Sequence, residues 1–255
     1  MSPCKIVAKK SAKCPRHSLN SSRNKDANNA YIDYYKNVVI NMERGVDLES
    51  LENTFILEVF KERTQTKLLN PSGDVYECII KEFFANAFEE DDHINFWVWG
   101  KEFIVSRELT QKLLEIHPMT PDTSLHYDER KDKLEPLVQI LGGQLKKTSL
   151  HITDFYSEMR ALACIMIFNL YQVKNLRTLL RPRTIFLHDL FTYKEIDICG
   201  HIYHLFAKCV QKRKIRMTLP FPSLVKSLIS KARVKIPSGL PVMSREESIS
   251  EHTIN

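Results

Sequence analysis

One stretch of this chain leaves little choice of conformation. Residues 82–116 read EFFANAFEEDDHINFWVWGKEFIVSRELTQKLLEI. Apolar residues first recur at three- and four-residue steps, as on one face of a helix, and then switch to strict alternation. From Phe96 to Val98 and from Phe103 to Val105, β-branched and aromatic residues flank Gly100-Lys101, so a β-hairpin over 96–105 is predicted, turning at that pair. A lone hairpin is marginal in water and must pack on helices. Phe96 and Val98 fall on one face and Trp97 and Trp99 on the other, and one of the two tryptophans is expected in the core. Ser106 is placed to cap a following helix with Leu109, Leu113, Leu114 and Ile116 as its buried stripe.

The rest of the chain reads as helix or loop. Tyr31, Tyr34, Tyr35, Val38 and Val39 predict an amphipathic helix ending at Gly45, and Asp47 caps a second helix carrying Leu51, Phe55, Val59 and Phe60. After the turn at residues 70–73, Asp74 opens a helix to Phe88 with Ile79, Ile80, Phe83, Phe84 and Ala87 inward. The carboxylates of Glu89–Asp92 read as a solvated loop, because a hard-cation loop needs alternating ligands and a glycine turn. Pro118–Lys133 reads as an exposed polar loop, and Leu134–Lys147 as a short helix weakened by Pro136 and Gly142-Gly143. The segment from Asp154 to about Lys174 is apolar nearly all round and is expected to be the central helix. Arg177–Arg183 is a basic turn, followed by helices at 184–193, 198–211 and 223–231. The fold class expected is mainly α: one multi-helix domain over 26–236 with a single small hairpin, between a disordered basic tail at 1–25 and a disordered C-terminal tail at 237–255.

Charge is segregated along the chain. Residues 1–25 hold seven Lys/Arg and no carboxylate, and 198–245 hold ten more, again without a carboxylate. The body between them carries a net −8, within a chain of +6. Lys208, Lys212, Arg213, Lys214 and Arg216 put five cations within nine residues at a predicted helix end. Such a cluster suits phosphates, bound without sequence reading and in a salt-dependent way; the helix C-terminus also favours cations for its own reasons. The candidate partners are nucleic acid or an acidic protein, and no membrane association is expected, the longest uncharged apolar run (Ala161–Val173) being too short to span a bilayer. Six scattered cysteines, with no secretory apolar segment at the start, fit reduced thiols in an intracellular protein, nuclear or cytoplasmic.

Catalytic chemistry finds little to stand on. Cys199, His201, His204 and Cys209 invite a zinc reading, but on one helix Cys199 points about 200° away from His201. Asp122-Thr123-Ser124 lacks the glycine and flanking strands of an aspartic-protease motif. No phosphate-cradling glycine loop, zinc-protease helix or nucleophile elbow is present. The expectation is a protein that is not an enzyme and needs no cofactor.

Glu82-Phe83-Phe84-Ala85-Asn86 and Val98-Trp99-Gly100-Lys101-Glu102-Phe103-Ile104-Val105-Ser106, followed by an apolar helix, resemble the plant transposon protein domain family, which is associated with retroelements. Met42-Glu43-Arg44-Gly45-Val46 looks like that family's opening segment. The helix from Ala161, Leu187–Gly200 and Leu219-Pro220-Phe221-Pro222-Ser223-Leu224 fit its second half. Trp99 departs from the pattern, standing where relatives carry a basic residue. The resemblance implies a largely helical domain of mobile-element origin with no catalytic residues to transfer. Together with the charge pattern it points to a packaging-type protein that touches nucleic acid, or alternatively to an interaction module whose basic patch meets an acidic partner.

Overall fold

The computed structural model describes residues 22–62, 65–90, 93–116, 126–146, 149–173, 177–212 and 218–250. Its helices are α1 (Lys25–Asp33), α2 (Phe55–Glu62), α3 (Glu77–Ala85), α4 (Arg107–Leu114), α5 (Leu134–Ile140), α6 (Ser157–Ile165), α7 (Arg181–Phe191), α8 (Ile198–Lys212) and α9 (Pro222–Lys231). Among the described residues they are joined by eight short strands in three small sheets. The fold is therefore mixed α/β, which corrects the expectation of a mainly α domain with one hairpin.

The hairpin is real and larger than the alternation suggested. β3 (His93–Val98) and β4 (Lys101–Val105) pair antiparallel, and β2 (Phe88–Glu90) adds a third strand opposite β3. Glu89 and Glu90 thus sit in a strand rather than a loop; Asp91 and Asp92 lie outside the described residues. The turn residues are Trp99 and Gly100, both at positive φ, the backbone of a tight two-residue hairpin turn. Lys101 already belongs to β4. The face turned to the core is Ile94, Phe96 and Val98, while both tryptophans are only half-buried. Phe96 stacks on Phe83 of α3 at 3.8 Å between ring centroids and meets Phe206 of α8 edge-on. The hairpin is fixed to two helices through one aromatic knot.

The other two sheets escape a reading by periodicity because their strands are two or three residues long. β5 (Leu145–Lys146), β6 (Ser149–His151) and β7 (Thr178–Leu180) form one. β1 (Val39–Ile40) and β8 (Thr218–Leu219) form a parallel pair across nearly the whole chain. α1 ends at Asp33, well before Gly45, because the chain must straighten into β1. Ser106 caps α4 as predicted, its hydroxyl accepting from the Leu109 N–H at 3.2 Å. Ile79, Ile80, Phe83, Phe84 and Ala87 are buried, also as predicted.

The central segment starts later than its apolar pattern suggests and is not regular. α6 widens at Met166–Leu170 into a π-turn, confirmed by the Tyr171 N–H donating to the Met166 carbonyl, five residues back. Composition after Pro237 predicts a trailing segment, yet Leu240 and Ile249 are buried, and Val242 and Ile249 bridge to Tyr76 and Val46. Residues 1–21 and 251–255 lie outside the described residues. None of the described helices is long and apolar enough to cross a membrane.

Candidate functional site

Two concave regions bring polar groups together. The larger, of about 470 Å³, lies between the 66–72 segment and α9, with Glu43, Asn169 and Ser223 among its lining. Glu43 and Ser223 are committed to one another. The buried Glu43 carboxylate accepts from the Ser223 N–H at 3.1 and 3.2 Å and from the Ser223 hydroxyl at 3.0 Å, occupying the start of α9. Arg245 donates to Ser223 Oγ at 3.2 Å and to the carbonyls of Pro71 and Gly73. These contacts tie four distant stretches of chain together, and the helix start that could attract an external anion is already taken up by the Glu43 carboxyl group.

Burial raises Glu43 above its ordinary value near 4.5, more than the Ser223 bonds and the Arg245 charge lower it. A raised folded-state value means that this group's contribution to stability is fully present below about pH 4.5 and is lost as pH rises through the folded value. Urea unfolding of the parent and Glu43→Gln between pH 5 and 8 should therefore show the parent losing stability relative to the variant as pH rises. A pH-independent difference would mean that Glu43 titrates as it does in the unfolded chain.

The smaller pocket, of about 270 Å³, is built on α8. His201 and His204 of α8 meet His126, which enters from the segment predicted to be an exposed loop. That segment is anchored by the buried Asp189 of α7, which receives Arg130, Lys194 at 3.2 Å and His188 at 3.1 Å. Burial alone would raise the Asp189 carboxyl, but these partners hold it below its ordinary value.

The imidazole protons follow from a chain of hydrogen bonds. The Leu170 carbonyl can only accept, so His201 Nε2 carries the proton and donates to it at 3.1 Å. His201 Nδ1 then accepts from His126 Nε2 at 3.2 Å, leaving His126 Nδ1 to accept the Asp128 N–H at 3.2 Å. Both rings are neutral at pH 7: burial, reinforced by neighbouring histidines, pushes His201 down to about 3, and burial with the His204 charge pushes His126 down to about 4.

His126, Asp128 and His204 present donor atoms within 4.8 Å of one another, a spacing that raises the question of a metal. Ring geometry answers it for this conformation. A metal at about 2.0–2.1 Å must lie in the plane of each imidazole that binds it. The His126 and His204 rings are stacked at 3.6 Å with 17° between their planes, so no such shared point exists. Asp128 is already paired with the Lys208 ammonium at 2.8 Å and faces His204 Nε2 at 3.4 Å, an ion-pair-range contact. These contacts hold its carboxyl well below the usual range, although burial opposes them.

A family profile described as "Putative plant retrotransposon-related domain" matches residues 61–235. The chain belongs to this family. No curated protein and no solved structure matches it. The retroelement association expected from the hairpin motif is therefore shown, and the chain is transposon-derived.

The structure distributes the predicted basic residues of this retrotransposon-related domain unevenly. Lys208 lies on α8 beside Asp128, its charge partly compensated. Lys212 ends α8, and Arg213, Lys214 and Arg216 lie outside the described residues. The zinc reading is not assembled, because Cys209 Sγ turns to the Thr218 carbonyl at 3.7 Å, away from the two histidines. Burial pushes the thiols of Cys199 and Cys209 up to about 12, so they are poor ligands and nucleophiles. Sequence reading missed His126, Asp128 and Arg183 of the smaller pocket. The contacts that join them to other segments span 12 to 80 positions and leave no local pattern.

Proposed function

We propose that this retrotransposon-derived domain is a binding protein of the packaging type, contacting nucleic acid through phosphates without reading sequence. The observation that carries the reading is charge segregation: residues 198–245 contain ten Lys/Arg and no carboxylate, while the body before them is acidic. Lys231, Arg233 and Lys235, at and just beyond the end of α9, are exposed and supply further cations on the described surface. A phosphate backbone is met by such groups individually, with counterion release setting the affinity, so no recognition helix is needed. The reading assigns the domain no catalytic step.

Titrating the full chain with labelled single- and double-stranded DNA and RNA at 50 and 200 mM salt tests this. Binding at low salt is expected for all four, weakening at the higher salt roughly 40-fold for the duplexes and roughly 20-fold for the single strands if about three phosphates are contacted. Lys212, Arg213 and Lys214→Ala should reduce both the affinity and the salt slope. No binding at low salt would overturn the reading and favour an acidic protein partner.

A further inference from the structure

We propose that the pocket between α7 and α8 binds a phosphate group, with Arg183 as its principal ligand and a nucleic-acid strand as the source. This rests on the function proposed above and gives it a place in the fold.

Arg183 is half-buried in the first turn of α7 and lines the 270 Å³ pocket with Lys208 and His126. Its guanidinium lies 5.8 Å from the Tyr171 ring centroid, and among the described residues no carboxylate lies within ion-pair distance of it. The pocket's one carboxylate, Asp128, is held by Lys208 and faces His204, so it acts on Arg183 only from beyond ion-pair distance and offsets the burial of that charge only in part. A guanidinium partly withdrawn from water without a counter-charge at ion-pair distance is costly, and here burial lowers its proton affinity. A tetrahedral oxyanion would remove that cost, because the planar fork of arginine matches two phosphate oxygens at once. The same anion would meet the ammonium of Lys208, the first of the five clustered cations. Leu205, Val173 and Leu180 form apolar walls on which a sugar or base could rest.

Phosphate chemistry could reach the pocket from a strand or from a free monoester, and one set of experiments separates them. The full-length chain is treated with phenylglyoxal and modification of Arg183 is followed by mass spectrometry, without addition and with inorganic phosphate, adenosine monophosphate or a single-stranded oligonucleotide. In parallel, oligonucleotide affinity is measured for the parent, Arg183→Gln and Arg183→Lys. Protection by the oligonucleotide is expected, with affinity falling roughly tenfold in Arg183→Gln and less in Arg183→Lys. Oligonucleotide binding with neither protection nor loss in Arg183→Gln would overturn the pocket and leave the basic-segment reading standing. Protection by phosphate or the mononucleotide without oligonucleotide binding would keep the pocket for a free phosphate ester and overturn the nucleic-acid reading. No protection and no binding would overturn both. Protection is read on the unmutated chain, so the outcome does not depend on how well a variant folds.

Discussion

Phe96→Ala should destabilise the domain by about 3–5 kcal/mol, the usual range for deleting a fully buried aromatic ring. Phe96 has no solvent exposure and contacts Phe83, Phe84, Phe103 and Phe206. Its removal opens a cavity walled by other rings on the backbones of α3, α8 and β4, which leaves little freedom to collapse. Trp97→Ala, at a half-exposed position opposite Glu102, should cost much less. Urea unfolding of both variants checks the ordering. A Phe96→Ala protein that melts like its parent would remove the hairpin from the core and with it the account of the fold given above.

Asn169→Leu should cost about 3 kcal/mol or more, although it replaces a polar side chain with an apolar one of comparable size in a buried site. Asn169 sits in the π-turn and uses its whole amide. Oδ1 accepts from the Arg44 N–H at 2.9 Å, and Nδ2 donates to the carbonyls of Arg44 at 2.8 Å and Leu68 at 2.9 Å. One side chain thus completes the backbone bonding of an opening segment more than a hundred residues away. Leucine would strand those backbone groups away from water, each at about 1–3 kcal/mol where no solvent replaces the bond. Asn169→Asp is the sharper comparison, since it keeps the shape but turns carboxylate lone pairs toward the carbonyls. It should be at least as damaging at pH 7, where the carboxyl is ionised in the unfolded chain and the buried site must either hold the charge or take up a proton, and less so at low pH. Equal stability of the parent and Asn169→Asp at pH 7 would show that the amide donors are dispensable.

Legibility in the sequence followed the range of the interactions. The stripe of α3, the Ser106 cap and the pairing of β3 with β4 depend on residues a few positions apart, and each was readable. β1 and β8 were not, since two-residue strands have no measurable period and their pairing spans residues 39 and 218. Glu89 and Glu90 misled for a related reason: a carboxylate run signals solvent, and an edge strand can satisfy that signal while still pairing its backbone with β3. The smaller pocket was invisible because His126, Arg183 and Lys208 belong to three segments, read as an exposed loop, a basic turn and a helix end, and no local pattern brings the three together.

By itself the sequence determined the hairpin, its two flanking helices, the family marker they carry and the separation of basic from acidic segments. Side-chain period, capping and net charge are local properties of the chain. Tertiary structure alone decided that Phe96 rather than a tryptophan is the buried anchor, that residues 240–249 pack back on the domain, and that Arg183 lacks a carboxylate within ion-pair distance. Those outcomes depend on which distant groups compete for the same buried space and the same counter-charge, and only closing the chain into three dimensions settles that competition.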